Sequence, residues 1–107
     1  MAYEGKINGQ LEAAETITAT PYSPGINKIL LCDATAANIT INLPAVNVAH
    51  GWEYIVKKID ASGNTITLDG SGAETIDGAA TLVIGTQWNA VHIHCDGVAW
   101  YVLNNKN

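Results

Sequence analysis

The sequence predicts an all-β fold, an antiparallel β-sandwich or jelly-roll-like single domain, on three observations. Apolar and polar residues alternate with period 2 in several short runs. Glycine, proline and aspartate breakers separate those runs at intervals of about 8–13 residues, the spacing of a sandwich or small barrel. No segment carries the apolar stripe of a helix at 3.6-residue spacing; Leu11–Glu15 has room for a single helical turn.

Residues 1–14 are polar and glycine-containing, with isolated apolar side chains at Tyr3, Ile7 and Leu11. They read as an extended N-terminal arm ahead of a sandwich domain over residues 15–107. Such a segment either frays or pairs with another chain, and the second reading is the functional one. Strands are then expected at Glu15–Thr20 and Asn27–Asp33, separated by Pro21 and Pro24-Gly25. In the next run Ile39, Ile41 and Leu43 share one face and Asn38, Thr40 and Asn42 the other, because successive strand side chains point to opposite sides. Pro44 ends it. Trp52–Ile59, Thr65–Leu68, Thr81–Ile84, Val91–Cys95 and Val98–Leu103 follow. Trp52–Ile59 and Val98–Leu103 carry apolar residues on both faces, the pattern of a strand buried twice or meeting another subunit. Asp96-Gly97 between the last two runs predicts an antiparallel hairpin closed by a type I′ turn.

Length and charge exclude several function classes. At 107 residues the chain forms one domain, burying about 65% of its unfolded surface, too small for a cleft between domains. Ten acidic residues oppose five lysines, arginine is absent, and the formal charge is −5. Nucleic-acid binding draws its affinity from Lys and Arg on phosphates, so no nucleic-acid partner is expected, and a polybasic membrane surface is excluded likewise. No run approaches the length of a membrane-spanning helix, and the N-terminus lacks the basic-then-apolar pattern of a signal peptide. Cys32 and Cys95 read as small buried hydrophobes rather than a disulfide. The sequon Asn38-Ile39-Thr40 has no secretory context.

Chemistry is sparse. His92 and His94 lie two apart on one strand and so share a face, a possible metal pair with Asp96 or Cys95 as the next ligand. Cys95 points the opposite way, and His50 is unconnected in sequence, so no metal site and no cofactor are predicted. The opposed directions also rule out a Cys–His nucleophile. Asp60, Asp69 and Asp77 could suggest a carboxylate pair, or calcium at the Asp69–Asp77 loops, but their glycine- and serine-flanked positions suit turns. No catalytic residue is predicted. Three tryptophans and four tyrosines without phenylalanine suit contact surfaces, where Tyr and Trp are enriched. Trp100 reads as core, Trp52 and Trp88 as rim residues.

The segments Ile39–Pro44, Gly51–Lys57, Gly63–Leu68, Glu74–Gly78 and Asp96–Val102 occur in an order that resembles a β-module of tailed-bacteriophage virion proteins. Its pattern is a "TI-LP" strand, a "G--Y-I" strand, "GNT-T", "ETIDG" and a closing "DG--WYV". The resemblance runs from Ile39 to Leu103; the His92-Ile93-His94-Cys95 strand departs from the module's usual Val, Leu and Ser. Such modules occur in head decoration (cement) proteins and in tail-fibre or tail-spike tips, usually as trimers. Because the module stands nearly alone behind a short arm, the resemblance implies a head decoration protein. It would be made in the host bacterial cytoplasm and act on the outer capsid surface. There it would bridge major capsid subunits and stabilise the shell against DNA pressure. It also implies a homotrimer whose arm, at Tyr3, Ile7 and Leu11, binds the capsid; the residue reading adds a subunit interface at Trp52, Trp88, His92 and His94 and no enzymatic activity. The alternative is a tail-fibre, receptor-binding or glycan-binding module.

Overall fold

The computed structural model describes Leu11 and residues 13–106. They form eight strands and no helix: β1 (Glu15–Ile17), β2 (Lys28–Cys32), β3 (Ile39–Asn42), β4 (Glu53–Lys58), β5 (Ile66–Asp69), β6 (Thr81–Ile84), β7 (Ala90–Cys95) and β8 (Trp100–Lys106). A five-stranded sheet in the order β1-β2-β4-β7-β8 packs on a three-stranded sheet, β3-β5-β6. The fold is the expected all-β sandwich, and each expected run overlaps one strand, with β5, β7 and β8 extending one to three residues beyond the expected bounds. The expected arm lies outside the described residues except for half-buried Leu11 and exposed Ala13 and Ala14.

Alternation builds the core. Leu30 and Cys32 of β2, Tyr54 and Val56 of β4, Ile93 and Cys95 of β7 and Trp100 of β8 face Ile39, Ile41, Ile66 and Leu68 of the small sheet, and all are fully buried or nearly so. The Tyr54 and Trp100 rings meet at 5.5 Å between centroids. Tyr54 satisfies its hydroxyl by donating to the Gly25 carbonyl. Both cysteines are free and buried, as expected. Burial, with the nearby charge of Asp60, pushes the Cys32 thiol up to about 12.

Pairing departs from the antiparallel expectation. The pairs β4–β7, β5–β6 and β7–β8 are antiparallel, but β1–β2, β2–β4 and β3–β5 are parallel. For β2–β4 and β3–β5 the cause is that β2, β3, β4 and β5 alternate between the two sheets, and between β1 and β2 the chain touches the small sheet at Tyr22, which bridges Ile41. The breakers after β2 and β3 are therefore arches from one sheet to the other, not hairpins. A parallel pair needs a long crossover connection, and here the crossover is a strand of the opposite sheet instead of a helix. The mixed pairing replaces the jelly-roll alternative.

The β7–β8 hairpin forms as expected, with Cys95 opposite Trp100. Its reversal is centred on Gly97-Val98, one residue later than expected, with Gly97 at φ 93° and Asp96 outside the positive-φ region. Glycine at the first central position favours a type II′ reversal over type I′. Asp96 stabilises it by accepting the Val98 and Ala99 N–H groups at 2.9 and 3.0 Å.

Candidate functional site

The inner faces of both sheets are committed to packing, which leaves outer faces and edges for contact, and the outer face of the five-stranded sheet is the one that groups the candidate histidines with apolar side chains. Ladder register assembles that face. Ile29 of β2 lies beside Ile55 of β4, which lies beside His92 of β7. Leu31 lies beside Lys57 and then Ala90, and Glu53 beside His94 and then Tyr101. Ile29, Leu31 and Ile55 are half-buried although they point away from the core. Their presence explains the doubly apolar pattern of β4.

Glu53 sits between the two histidines. His92 Nε2 and His94 Nδ1 each approach a different oxygen of its carboxylate, both at 2.9 Å. The three side chains are each about one third exposed. The hydrogen bond from His92, reinforced by that from His94, holds the Glu53 carboxyl below its ordinary range against a smaller opposing effect of burial. The carboxylate thus spends both oxygens on the histidines, and among the described residues no cluster of three or more His, Cys, Asp or Glu has the arrangement of a metal site. The two-residue spacing made the His92/His94 face legible in the sequence. The partner Glu53 was missed, because cross-strand register is not readable from the chain.

The two tryptophans grouped with these histidines in the expected subunit interface lie apart from them in this fold. Trp52 is half-buried and packs against the core, on the opposite side of β4 from Glu53. Trp88, at φ 75° before β7, is 49% exposed and borders the same outer face at its far end. There the Lys57 ammonium donates to the Trp88 carbonyl at 3.0 Å and lies 5.9 Å from its ring centroid.

Two further expectations concerned carboxylates. Asp77 does turn duty, with φ 48° and its Oδ1 accepting the Val102 N–H. Asp69 closes β5 instead of standing in a turn. Asp60 does more than a turn requires. It is buried and accepts from the backbone N–H groups of Ala34 and Ser62, the Ser62 hydroxyl and the Lys58 ammonium. Lys58, fully buried at the end of β4, donates to Asp60 Oδ2 at 2.8 Å and to the carbonyls of Asp60 and Ser62 at 2.9 and 3.0 Å. Every ammonium hydrogen has an acceptor. With nothing left to react or bind, this pair is a staple joining β4, the β2–β3 arch and the β4–β5 connection.

A scan against protein-family models finds no match, and a search of curated proteins finds none either.

Proposed function

We propose that this chain is a structural protein of a phage virion, a head decoration protein that attaches to the outer capsid surface as a homo-oligomer and performs no catalysis. The observation that carries the reading is the placement of the ordered motif set. Ile39–Pro44 supplies β3, Gly51–Lys57 supplies β4, Gly63–Leu68 supplies β5, and Asp96–Val102 supplies the β7–β8 turn and the start of β8. Glu74–Gly78 docks on β8: Trp100 N–H donates to the Thr75 carbonyl and Asp77 N–H to the Trp100 carbonyl. The segments that resemble the virion module thus supply adjacent β3 and β5 of the small sheet and, in the large sheet, β4 and β8 on either side of β7.

The outer face of the five-stranded sheet supports an adhesive role. Half-buried Ile55 and His92 line a shallow depression of about 230 Å³, and half-buried Ile29 and Leu31 lie on the same outer face, beside Ile55 and Lys57. We assign head contact to this face. The test is co-sedimentation of the purified protein with heads of the phage that encodes it. Saturable binding at a fixed ratio to capsid subunits is expected; protein that stays in the supernatant at micromolar concentration defeats the reading. A second reading, a glycan-binding tip, draws on exposed Trp88 and Tyr101, at 49% and 42%. It requires hits on a glycan array, and Lys57 already occupies one side of the Trp88 ring.

A further inference from the structure

An open sheet edge is a template for another strand, and folded proteins protect edges with short strands, bulges, charges or a covering segment. Three of the four edges here are protected. At one edge of the large sheet, β1 is only three residues long and holds the Glu15–Lys28 ion pair at 3.3 Å. At the other, β8 is covered at its start by Thr75–Asp77, bulges opposite His92/Ile93 and ends in Asn104-Asn105-Lys106. In the small sheet, β3 is covered by Thr20–Tyr22: Tyr22 N–H donates to Thr40 O, Asn42 N–H to Tyr22 O and Thr40 N–H to the Thr20 hydroxyl.

The fourth edge, β6, is also short at four residues, but among the described residues it carries no charge, bulge or covering segment. Thr81-Leu82-Val83-Ile84 contains no charge, no proline and no bulge, and residues 78–89 contain no charged side chain at all. The ladder phase shows which groups are open. Gly70 N–H donates to the Ala80 carbonyl, so Ala80 turns its main chain toward β5. Bonding alternates along an antiparallel pair; Leu82 and Ile84 face β5 in the same way, and Thr81 and Val83 aim their N–H and C=O groups outward. A cleft of about 160 Å³ runs beside this edge, walled by Leu82, Ile84 and Val91 with Lys106 at its end.

We propose that residues 2–11 of one copy of the chain add as a strand to β6 of a second copy. In sequence, the large apolar residues Tyr3, Ile7 and Leu11 fall at odd positions with Gly5 and Gly9 between them, and Glu4, Lys6, Asn8 and Gln10 fall at even positions after Ala2. That is the pattern of a strand with one face on an apolar wall. The segment's Glu4 and Lys6 cancel, so the chain's −5 charge is not concentrated where the copies meet.

Placement favours a second copy over the chain's own β6. The chain after β1 pairs with β3 through Tyr22 and Ile41, whereas β6 shares its cleft with β7 and β8. The arm-bearing edge and the accepting edge are therefore opposite sides of the sandwich. Crossing its own five-stranded sheet, about 19 Å at 4.8 Å per strand, would consume more than half the roughly 33 Å that ten extended residues span. A neighbour's β6 can be paired along its full length. Donor and acceptor on opposite sides make a heterologous contact, which gives a ring of copies if the rotation between neighbours closes and an open array if it does not. This inference concerns assembly of the chain with itself and does not rest on head attachment.

Four proteins test it by light scattering: the full chain, a chain lacking residues 1–10, Val83→Pro and Val83→Thr. Proline at Val83 removes an outward N–H and no β5–β6 bond, a position where edge strands accept it; circular dichroism and a thermal melt confirm that each variant is folded. The full chain is expected at a multiple of 11.3 kDa, Val83→Thr likewise, and the other two at the monomer mass. A peptide of residues 1–11 is expected to bind the truncated protein and to lose binding when Val83→Pro is added. A monomeric full chain, or an oligomer that survives either the truncation or Val83→Pro, overturns the proposal. Oligomers that ignore phage heads would defeat the decoration reading and leave this one standing.

Discussion

Lys58 and Asp60 show how far a single pair of residues can depart from its sequence appearance. A lysine followed two residues later by an aspartate looks like solvated surface, yet the Lys58 side chain is 0% exposed and that of Asp60 5%. Burying both charges carries a large desolvation cost, offset only when every donor and acceptor is used. Removing one partner leaves the other charged and alone, so Asp60→Ala should cost about 3–5 kcal/mol, read as a shift in the urea midpoint. The pH dependence has a definite sign. Burial alone would raise the Asp60 carboxyl, but the hydrogen bonds from Lys58 and Ser62 and from the Ala34 and Ser62 backbones hold it well below the ordinary carboxylate range. A depressed folded-state pKa means stability that is fully present above the unfolded value, about 3.9, and lost as pH falls through the folded one. Urea midpoints should therefore fall steeply below about pH 4, and an Asp60→Asn variant should show a flatter acid limb. An unchanged slope in that variant would show that other carboxylates carry the acid sensitivity.

At the scale of elements, the connection between β5 and β6 matters because it sets β6 on its edge. Gly70 is buried at the start of this connection, and a Cβ there would run into the Glu74 carbonyl oxygen, which is backbone and cannot swing away. Gly70→Ala should therefore destabilise by about 1–3 kcal/mol through overpacking. Gly63 meets nothing within 4 Å and has no positive φ, so Gly63→Ala is the control and should be neutral or slightly stabilising. Paired thermal melts decide it; equal midpoints for both variants would mean that the β5–β6 connection yields more readily than its contacts imply. The strands themselves were legible because alternation is local: Ile39, Ile41 and Leu43 can share a face only in extended chain. Their partners were not legible. Nothing near Cys32 or Pro44 distinguishes an arch into the other sheet from a hairpin, and the parallel pairs β2–β4 and β3–β5 follow from that single ambiguity. For the same reason Glu53 could not be connected to His92 and His94, which lie about forty positions further on.

At the scale of the whole molecule, the decoration reading turns on how a weak face becomes a firm attachment. Ile55 stands at the centre of the outer face, flanked by Ile29 and His92, and is only half-buried. Ile55→Lys keeps a side chain whose methylene stem can lie along its neighbours while the ammonium stays in water. Its effect on stability should therefore stay within about 1 kcal/mol. On a capsid the same ammonium must lose water without a partner of its own. If that costs about 1.4 kcal/mol per copy, one copy binds tenfold more weakly. Copies linked in one oligomer multiply the loss, up to about a thousandfold for three engaged together. Titrating Ile55→Lys against heads in co-sedimentation therefore reads attachment and valency together. A loss near tenfold indicates copies that bind singly, a loss of several hundredfold indicates linked copies, and decoration at the wild-type ratio removes this face from the head contact. The charge on the chain supports the choice of an apolar anchor. With ten acids against five lysines and no arginine, the chain has little positive charge with which to anchor electrostatically. On the decoration reading the anchor is therefore apolar area, which Ile29, Leu31 and Ile55 offer on the outer face.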